Sequence, residues 1–412
     1  MTPKLAVVAF PGNNCESESL RAAKRNGFDT DLILWNEIEK IGHHDAYFLP
    51  GGFSFEDRGR SGVIASREPI FAVLRKEAQK GKVILGVCNG AQMIVESGLI
   101  PVEDNPVPFA LAENVRRDET GKVLGTGFYN SWKRLKPARR DTAFTNSVNK
   151  DFLRLPMAHG EGRFTSTNPA CLEALKSDNH VAFRYCDNKG NVSDKFPITP
   201  NGSNFAVAMI VNKEGTIGAI MPHPERFYDS CDGDQIFQSM RQWIEEKRSP
   251  EEVMIGDFSQ GQLPEIKNFQ VKPNSLLLEK KLIITDNEGF SISQTASNIA
   301  GEEIKLGRSI LYEIYCDRSE KEKIIDSGLI LNPNKEQLLD FTENKEAKYA
   351  VLPLEDDAAK ALGEKLSKLL NKDVEVKIYK CWDFGDTNKE SVNRVIQNRL
   401  LANPNSAEVV KT

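Results

Sequence analysis

Val83-Ile-Leu-Gly-Val-Cys-Asn-Gly-Ala-Gln92 decides the fold of the first half of the chain. Its first five residues are apolar except for one glycine, a pattern that predicts a buried strand. The run breaks at Gly86-Val-Cys-Asn-Gly90, with small residues flanking a nucleophile, and continues into a helix-forming stretch over 91–97. A strand that turns sharply into a helix pushes one side chain out at the carboxyl edge of its sheet. A Cβ at position 86 or 90 would crowd that turn. The helix aims its free N–H groups and positive dipole end at the Cys88 sulfur, which favours thiolate. Taken alone, the same pattern also fits a buried structural cysteine beside a tight turn, so the context decides.

Upstream, residues 4–10 form a mostly apolar run ended by Pro11-Gly-Asn-Asn14, and 15–26 a helix closed by Gly27. Residues 31–35 and 46–50 read as two further strands, the second ending at Gly51-Gly52, and 69–79 as a helix. Strands alternating with helices predict an α/β fold, a doubly wound, mostly parallel sheet. Ligands of such sheets bind beyond the strands' carboxyl ends, where both glycine turns fall. Residues 105–200 are less regular, with polar clusters at His159-Gly-Glu-Gly-Arg163 and Arg184-Tyr-Cys-Asp187. Residues 205–211 and 217–221 predict a hairpin that runs into Pro222-His-Pro-Glu-Arg226, and 235–247 a helix.

A chain of 412 residues exceeds one ordinary core. The expected division is a first domain over 1–250, a polar linker over 251–273 and a smaller α+β domain over 274–412. The last carries an internal repeat, with halves at about 274–342 and 345–412. Ile324-Ile-Asp-Ser-Gly-Leu-Ile-Leu-Asn-Pro-Asn334 aligns, 71 positions on, with Val395-Ile-Gln-Asn-Arg-Leu-Leu-Ala-Asn-Pro-Asn405. Each is preceded by a helix-like and then a strand-like segment, and each is expected to be a helix stopped at Asn-Pro-Asn.

Net charge is −5 and the basic residues are scattered, with only a small cluster around Lys133-Arg134 and Arg139-Arg140. That excludes the electrostatic footprint of a nucleic-acid binder. Seven dispersed cysteines without a C-x-x-C pair argue against a disulfide framework or a zinc site and for a reducing compartment. No apolar run approaches a membrane span or a signal segment, so a cytoplasmic location without membrane contact is expected.

A thiol nucleophile needs a base, an orienter for the base and an oxyanion hole. His223 and Glu225 stand two apart between prolines, so in extended chain they project to one side, and the carboxylate can orient the imidazole. His223 is a better candidate than His43, His44 or His180, although an isolated histidine is more often a plain surface residue. The backbone N–H of Asn89 would supply one oxyanion donor and the Gly51-Gly52-Phe53 turn, through Gly52 or Phe53, the other. Gly51 lets the backbone approach substrate. Gln92, on the first helical turn, is placed either to hold the far end of a substrate or as an ordinary helix residue.

Pro50-Gly-Gly-Phe-Ser54, Gly86-Val-Cys-Asn-Gly-Ala-Gln92, His159-Gly-Glu-Gly-Arg163, Pro200-Asn-Gly-Ser203 and Pro222-His-Pro-Glu-Arg226 occur in this order. Together they resemble the glutaminase subunits (PurQ) of phosphoribosylformylglycinamidine synthase, triad-type glutamine amidotransferases of purine biosynthesis, over roughly residues 4–230. The resemblance implies Cys88 as nucleophile, His223 and Glu225 completing a triad, and glutamine as substrate. His159, Glu161, Arg163, Asn201 and Ser203 carry the family-specific motifs and are expected at the site or an interface. One departure stands out: Phe55-Glu-Asp57 replaces the family's aromatic-Gly-Asp turn.

Asp286-Asn-Glu-Gly289, Ile304-Lys-Leu-Gly-Arg-Ser-Ile-Leu-Tyr-Glu-Ile314 and Arg399-Leu-Leu-Ala-Asn-Pro-Asn405 resemble the small bridging subunit (PurS) of the same system. The second copy lacks the Asp-x-x-Gly opening. An unrelated ferredoxin-like or ACT-like domain is the alternative. The chain has no phosphate-binding G-x-x-x-x-G-K-[ST] loop. It is expected to carry no cofactor or metal and to pass ammonia to a PurL-like synthetase that holds ATP and Mg²⁺. The competing readings are a glutaminase serving another acceptor and a non-catalytic scaffold that keeps the fold.

Overall fold

Apolar runs become strands and amphipathic runs helices through the first hundred residues of the computed structural model. It describes residues 2–177, 179–226, 232–256, 266–341 and 347–412. The first elements are β1 (Lys4–Ala9), α1 (Glu16–Arg25), β2 (Asp29–Leu34), β3 (Ala46–Leu49), α2 (Ile70–Gln79), β4 (Val83–Val87) and α3 (Asn89–Ser97). Next come β5 (Ala110–Glu113), β6 (Val115–Arg117), β7 (Val123–Thr126), β8 (Tyr129–Pro137), β9 (Leu153–His159) and β10 (Glu161–Thr165). Then α4 (Pro169–Lys176), β11 (Val181–Cys186), β12 (Val207–Val211), β13 (Ile217–Ile220) and α5 (Asp234–Glu245) complete the first of two units.

Nine strands make one sheet in the order β2-β1-β3-β4-β13-β12-β11-β8-β9. Pairing is parallel from β2 to β13 and antiparallel from β13 to β9. The expected mostly parallel sheet is therefore corrected to a mixed one. Helical crossovers keep the first strands parallel, whereas the Asn212–Gly215 turn returns the chain antiparallel. The stretch 105–200, expected to be irregular, holds seven strands. Their signal is weak because β9 alternates buried with half-buried residues instead of forming an apolar run. The central strands bury Val7, Val8, Phe48, Leu85 and Ile220 completely, and Phe48 stacks on Phe237 of α5 at 5.7 Å.

The second unit begins with β14 (Lys267–Asn268). It continues through β15 (Leu276–Leu282), α6 (Asn287–Ala300), β16 (Gly307–Ile314), α7 (Lys321–Asp326) and β17 (Glu336–Leu339). The order then recurs as β18 (Lys348–Pro353), α8 (Asp357–Leu370), β19 (Val376–Asp383), α9 (Lys389–Gln397) and β20 (Ala407–Lys411). The sheet runs β14-β20-β18-β19-β16-β15-β17, with β16 and β19 antiparallel at its centre. Local hydrogen bonds recur with the elements. Asp286 caps α6 through Gly289 N–H at 3.0 Å, and Asp356 caps α8 through Ala359 N–H at 2.8 Å. Ser297 Oγ accepts from Ile304 N–H, and Ser367 Oγ from Val374 N–H.

One expectation is corrected here. Helices α7 and α9 end well before Asn332 and Asn403. The Asn-Pro-Asn segments are instead turns into β17 and β20, each closed by the first asparagine's Oδ1 accepting from the third residue's N–H. The linker expected over 251–273 is ordered at both ends: Val253 is buried in the first unit's core, and Lys267–Asn268 pairs with β20. Residues 257–265 and 342–346, which span the rest of that linker and the expected repeat junction, lie outside the described residues. Among the described residues no helix is long and apolar enough to cross a membrane.

Candidate active site

Cys88 sits between β4 and α3 with φ 52° and ψ −107°. A non-glycine residue held there stores on the order of 1–3 kcal/mol of strain, sustained by the surrounding packing. Its N–H donates to Ile220 O at 2.8 Å, and its carbonyl accepts from Gln92 N–H to start the helix. Close packing fixes the turn: a methyl group on Gly90 would lie 2.0 Å from Leu49 O, so α3 can rest on β3 only without one.

Strand β13, the parallel neighbour of β4, delivers His223 to the same end of the sheet. His223 N–H donates to Pro156 O at 2.8 Å, and Nδ1 meets Glu225 Oε1 at 2.6 Å. Both side chains are buried. The thiol and the imidazole converge on the Gly51 backbone. A methyl group there would lie 2.9 Å from His223 Cε1, 3.4 Å from Cys88 Cβ and 3.3 Å from Cys15 Sγ. Burial by itself would push His223 down, but the Glu225 carboxylate and then the Cys88 and Cys15 sulfurs outweigh it and hold the imidazole well above its ordinary value.

Asn89 follows the nucleophile at the first position of α3, where a backbone N–H has no partner within the helix. Its side chain accepts from Ser54 N–H at 2.9 Å and donates to Asp57 Oδ1 at 3.2 Å, which ties the 52–57 loop to the helix start. Gly52 lines the cleft beside Cys88. The expected Phe53 donor is corrected, since its N–H donates to Gly12 O at 2.9 Å and is already used. The Phe53 ring stands exposed at the cleft mouth. Gln92 also lines the cleft, but its Oε1 accepts from Asn89 and its Nε2 donates to Glu161 O at 2.6 Å, so both ends of its amide hold protein partners.

His159 and Glu161 line the cleft, of about 330 Å³. Asn201 and Ser203 do not; both are buried, and their side chains bond Gly162 O at 2.7 and 3.4 Å, which pins β10 from behind. Burial corrects the expectation that they face an interface. Arg163 donates to Glu113 O across the β10–β5 pair.

Three participants escaped the sequence reading. Cys15 lies against His223 and accepts from Arg226 Nη2 at 3.3 Å. Only its place after β1, at the ligand-binding edge of a parallel sheet, signals it. Arg226, within the Pro-His-Pro motif, lines the cleft. Asp57 belongs to the departing loop, where Phe55, Glu56 and Asp57 all take positive φ, 51°, 58° and 54°. The loop stays in this conformation because Phe55 N–H donates to Pro11 O and Ser54 N–H to Asn89. As for metal ligation, Cys15, His223 and Glu225 bring donor atoms within 4.8 Å of one another, but the Glu225–Nδ1 contact already uses one imidazole nitrogen.

Residues 2–254 match the model of a family described as the CobB/CobQ-like glutamine amidotransferase domain. A Methanothrix thermoacetophila protein named phosphoribosylformylglycinamidine synthase subunit PurQ is 40% identical over 263 residues, covering 60% of this chain and 100% of that one. A protein of the same name from Methanopyrus kandleri is 36% identical over 245 residues, covering 58% and 98%. A solved structure described as PurLQS from Thermotoga maritima is 31% identical with a TM-score of 0.45, covering 59% of this chain and 100% of that one.

Proposed function

The chain belongs to the CobB/CobQ-like glutamine amidotransferase family, and from that premise we propose that it hydrolyses glutamine and supplies the ammonia to a PurL-like synthetase. That partner, with ATP and Mg²⁺, would convert formylglycinamide ribonucleotide to its amidine in purine biosynthesis. The observation that carries the reading is the buried His223–Glu225 pair set against Cys88 at one Gly51 backbone. The PurQ names of the relatives support the acceptor.

In this reading Cys88 Sγ attacks the side-chain amide carbon of glutamine. The carbonyl oxygen becomes an oxyanion received by the N–H groups of Asn89 and Gly52. His223, its Nδ1–H held by Glu225, gives the Nε2 proton to the amide nitrogen. The C–N bond breaks, ammonia leaves and a glutamyl thioester remains. Water then yields a proton to Nε2 and adds to the thioester carbon, and the C–S bond breaks to release glutamate.

The second unit is read as two tandem PurS-like modules that dock the glutaminase on the synthetase. The recurring βαβαβ order and the matching helix caps support this. A module of ~70 residues has a marginal core alone and gains by covering a partner's sheet edge. The β16–β19 pairing does that within one chain.

The test is Cys88→Ser in the complex reconstituted with the synthetase. Glutamine-dependent synthesis should vanish while ammonia-dependent synthesis persists; equal loss of both would make Cys88 structural and overturn the reading.

A further inference from the structure

Each turn of the amide chemistry takes His223 from imidazolium to imidazole and back, while Glu225 beside it stays negative. The Glu225 side chain is fully buried; Oε1 meets His223 Nδ1, but Oε2 has no hydrogen-bond partner. A carboxylate in that position is destabilised whenever the imidazole loses its charge, unless a second cation stands nearby. With the imidazole as its sole cation, the carboxylate would also bind the His223 proton too tightly for transfer to a leaving group.

Arg226, next in sequence to Glu225, meets this need. Among the described residues that line the cleft, it is the one side chain that stays positive in every protonation state of the site. A sulfur rather than a carboxylate holds its guanidinium: Nη2 donates to Cys15 Sγ at 3.3 Å. Cys15 in turn donates its thiol hydrogen to Asn14 Oδ1 at 3.2 Å, and Asn14 N–H donates to Gly51 O at 3.2 Å. The same Cys15 Sγ lies within 4.8 Å of a His223 ring nitrogen and a Glu225 carboxylate oxygen. A neutral, doubly bonded thiol therefore spaces the guanidinium from the pair and fixes its distance. Burial would lower Arg226, but the Cys15 hydrogen bond and then the charges of Cys15, Glu225 and Cys88 outweigh it and hold it above its ordinary value.

We propose that Arg226, clamped by Cys15, is the permanent countercharge of Glu225 and thereby sets how readily His223 gives up its proton. Arg226 acts through His223 and not on the substrate. The proposal rests on the amide-cleaving reading above and adds a residue that the nucleophile, base, orienter and oxyanion donors do not include. The remaining titratable groups around the imidazole and the thiol cannot replace it. Burial, and then His223, push His159 on β9 down to about 3, so that ring is neutral. Tyr185 on β11 is pushed up by burial and then by Cys88, so it too is neutral. Asp57 and Glu161, which line the cleft, carry carboxyl groups.

The test follows His223 by NMR titration in the full chain, and the pH profile of glutamate release in the complex with the synthetase. Arg226→Met keeps an unbranched stem and removes the charge. It should raise the His223 midpoint by about one pH unit, a tenfold gain in proton affinity. The acid limb of the kcat profile should move up equally, because neutral His223 must take the proton from water. Arg226→Lys should return both most of the way. The direction separates the alternatives: loosened packing would carry His223 down toward its ordinary value, and an arginine that only held substrate would raise KM without moving the titration of the free protein. A midpoint that falls, or stays within about 0.3 pH unit of wild type, a twofold change, overturns the proposal. If Arg226→Met does not fold, Arg226→Gln makes the same charge change and decides. Wild-type complex that releases no glutamate would sink the amide-cleaving reading, while the NMR titration still judges the charge balance by itself.

Discussion

Glu225→Gln removes one charge from the site and almost no volume. Glu225 Oε1 lies 2.6 Å from His223 Nδ1, and both side chains are buried. With charge centres about 4 Å apart, a carboxylate stabilises the imidazolium by about 4 kcal/mol at an effective dielectric of about 20. That stabilisation is needed each time His223 carries the proton bound for the leaving nitrogen. Its loss corresponds to about a thousandfold in rate. Glutamine can also turn an N–H toward Nδ1, which would place the ring proton on the wrong nitrogen. The assay is glutamate release by the full chain with its synthetase, set against ammonia-dependent synthesis in the same preparation. Glutamine turnover should fall about a thousandfold, ammonia-dependent synthesis should hold, and the His223 titration followed by NMR should move down. A fall of less than about tenfold would refute the reasoning, because a carboxylate this close and this buried cannot be removed so cheaply if the imidazolium forms.

Iodoacetamide at neutral pH should label Cys88 ahead of Cys15, Cys171, Cys186, Cys316 and Cys381, as read by peptide mass spectrometry. Burial pushes Cys171 and Cys316 up, Cys186 to about 11 and Cys381 to about 12, and uniform labelling would contradict the site. In the second unit Lys348 Nζ meets Glu279 Oε1 at 2.6 Å, both side chains buried, across the two halves. Lys348→Met leaves Glu279 unpaired and should destabilise that unit by about 3–5 kcal/mol, with most of it regained in Lys348→Met/Glu279→Leu; hydrogen exchange of the unit's peptides checks both. Burial would raise Asp286, but the Arg308 hydrogen bonds and the Gly289 N–H outweigh it and leave it lowered. Its stabilisation is therefore present above the unfolded value of about 3.9 and is lost as pH falls through the lower folded one. Asp356, raised by burial, has the opposite sign. Asp286→Asn should thus cost more at pH 7 than at pH 3, and Asp356→Asn less; parallel pH trends in denaturant midpoints would refute this.

What the sequence made legible follows from how locally each feature is built. Strands β1, β3 and β4 are buried almost throughout, so they read as apolar runs. The turn at Cys88 and the His223–Glu225 pair are short-range patterns, and the structure brings them to one end of the sheet because β13 pairs with β4. The half-buried strand β9 offered no such run. Nothing local could reveal that Phe53 N–H is taken by Gly12 O, or that Cys15 reaches His223, because both depend on the loop after β1 folding over the loop after β3. One residue stitches those loops together: Asn13 donates its side-chain amide toward Gly51 O and Asn89 Oδ1, at 3.4 and 3.5 Å. The recurring Asn-Pro-Asn was visible as a repeat yet misread as a helix stop, since a proline after asparagine fits a turn into a strand equally well. The same division separates reaction from recognition. A strand–turn–helix carries the nucleophile wherever it occurs, whereas the cleft beside it is lined by Asp57, His159 and Glu161, contributed by different segments whose meeting only the long-range packing decides.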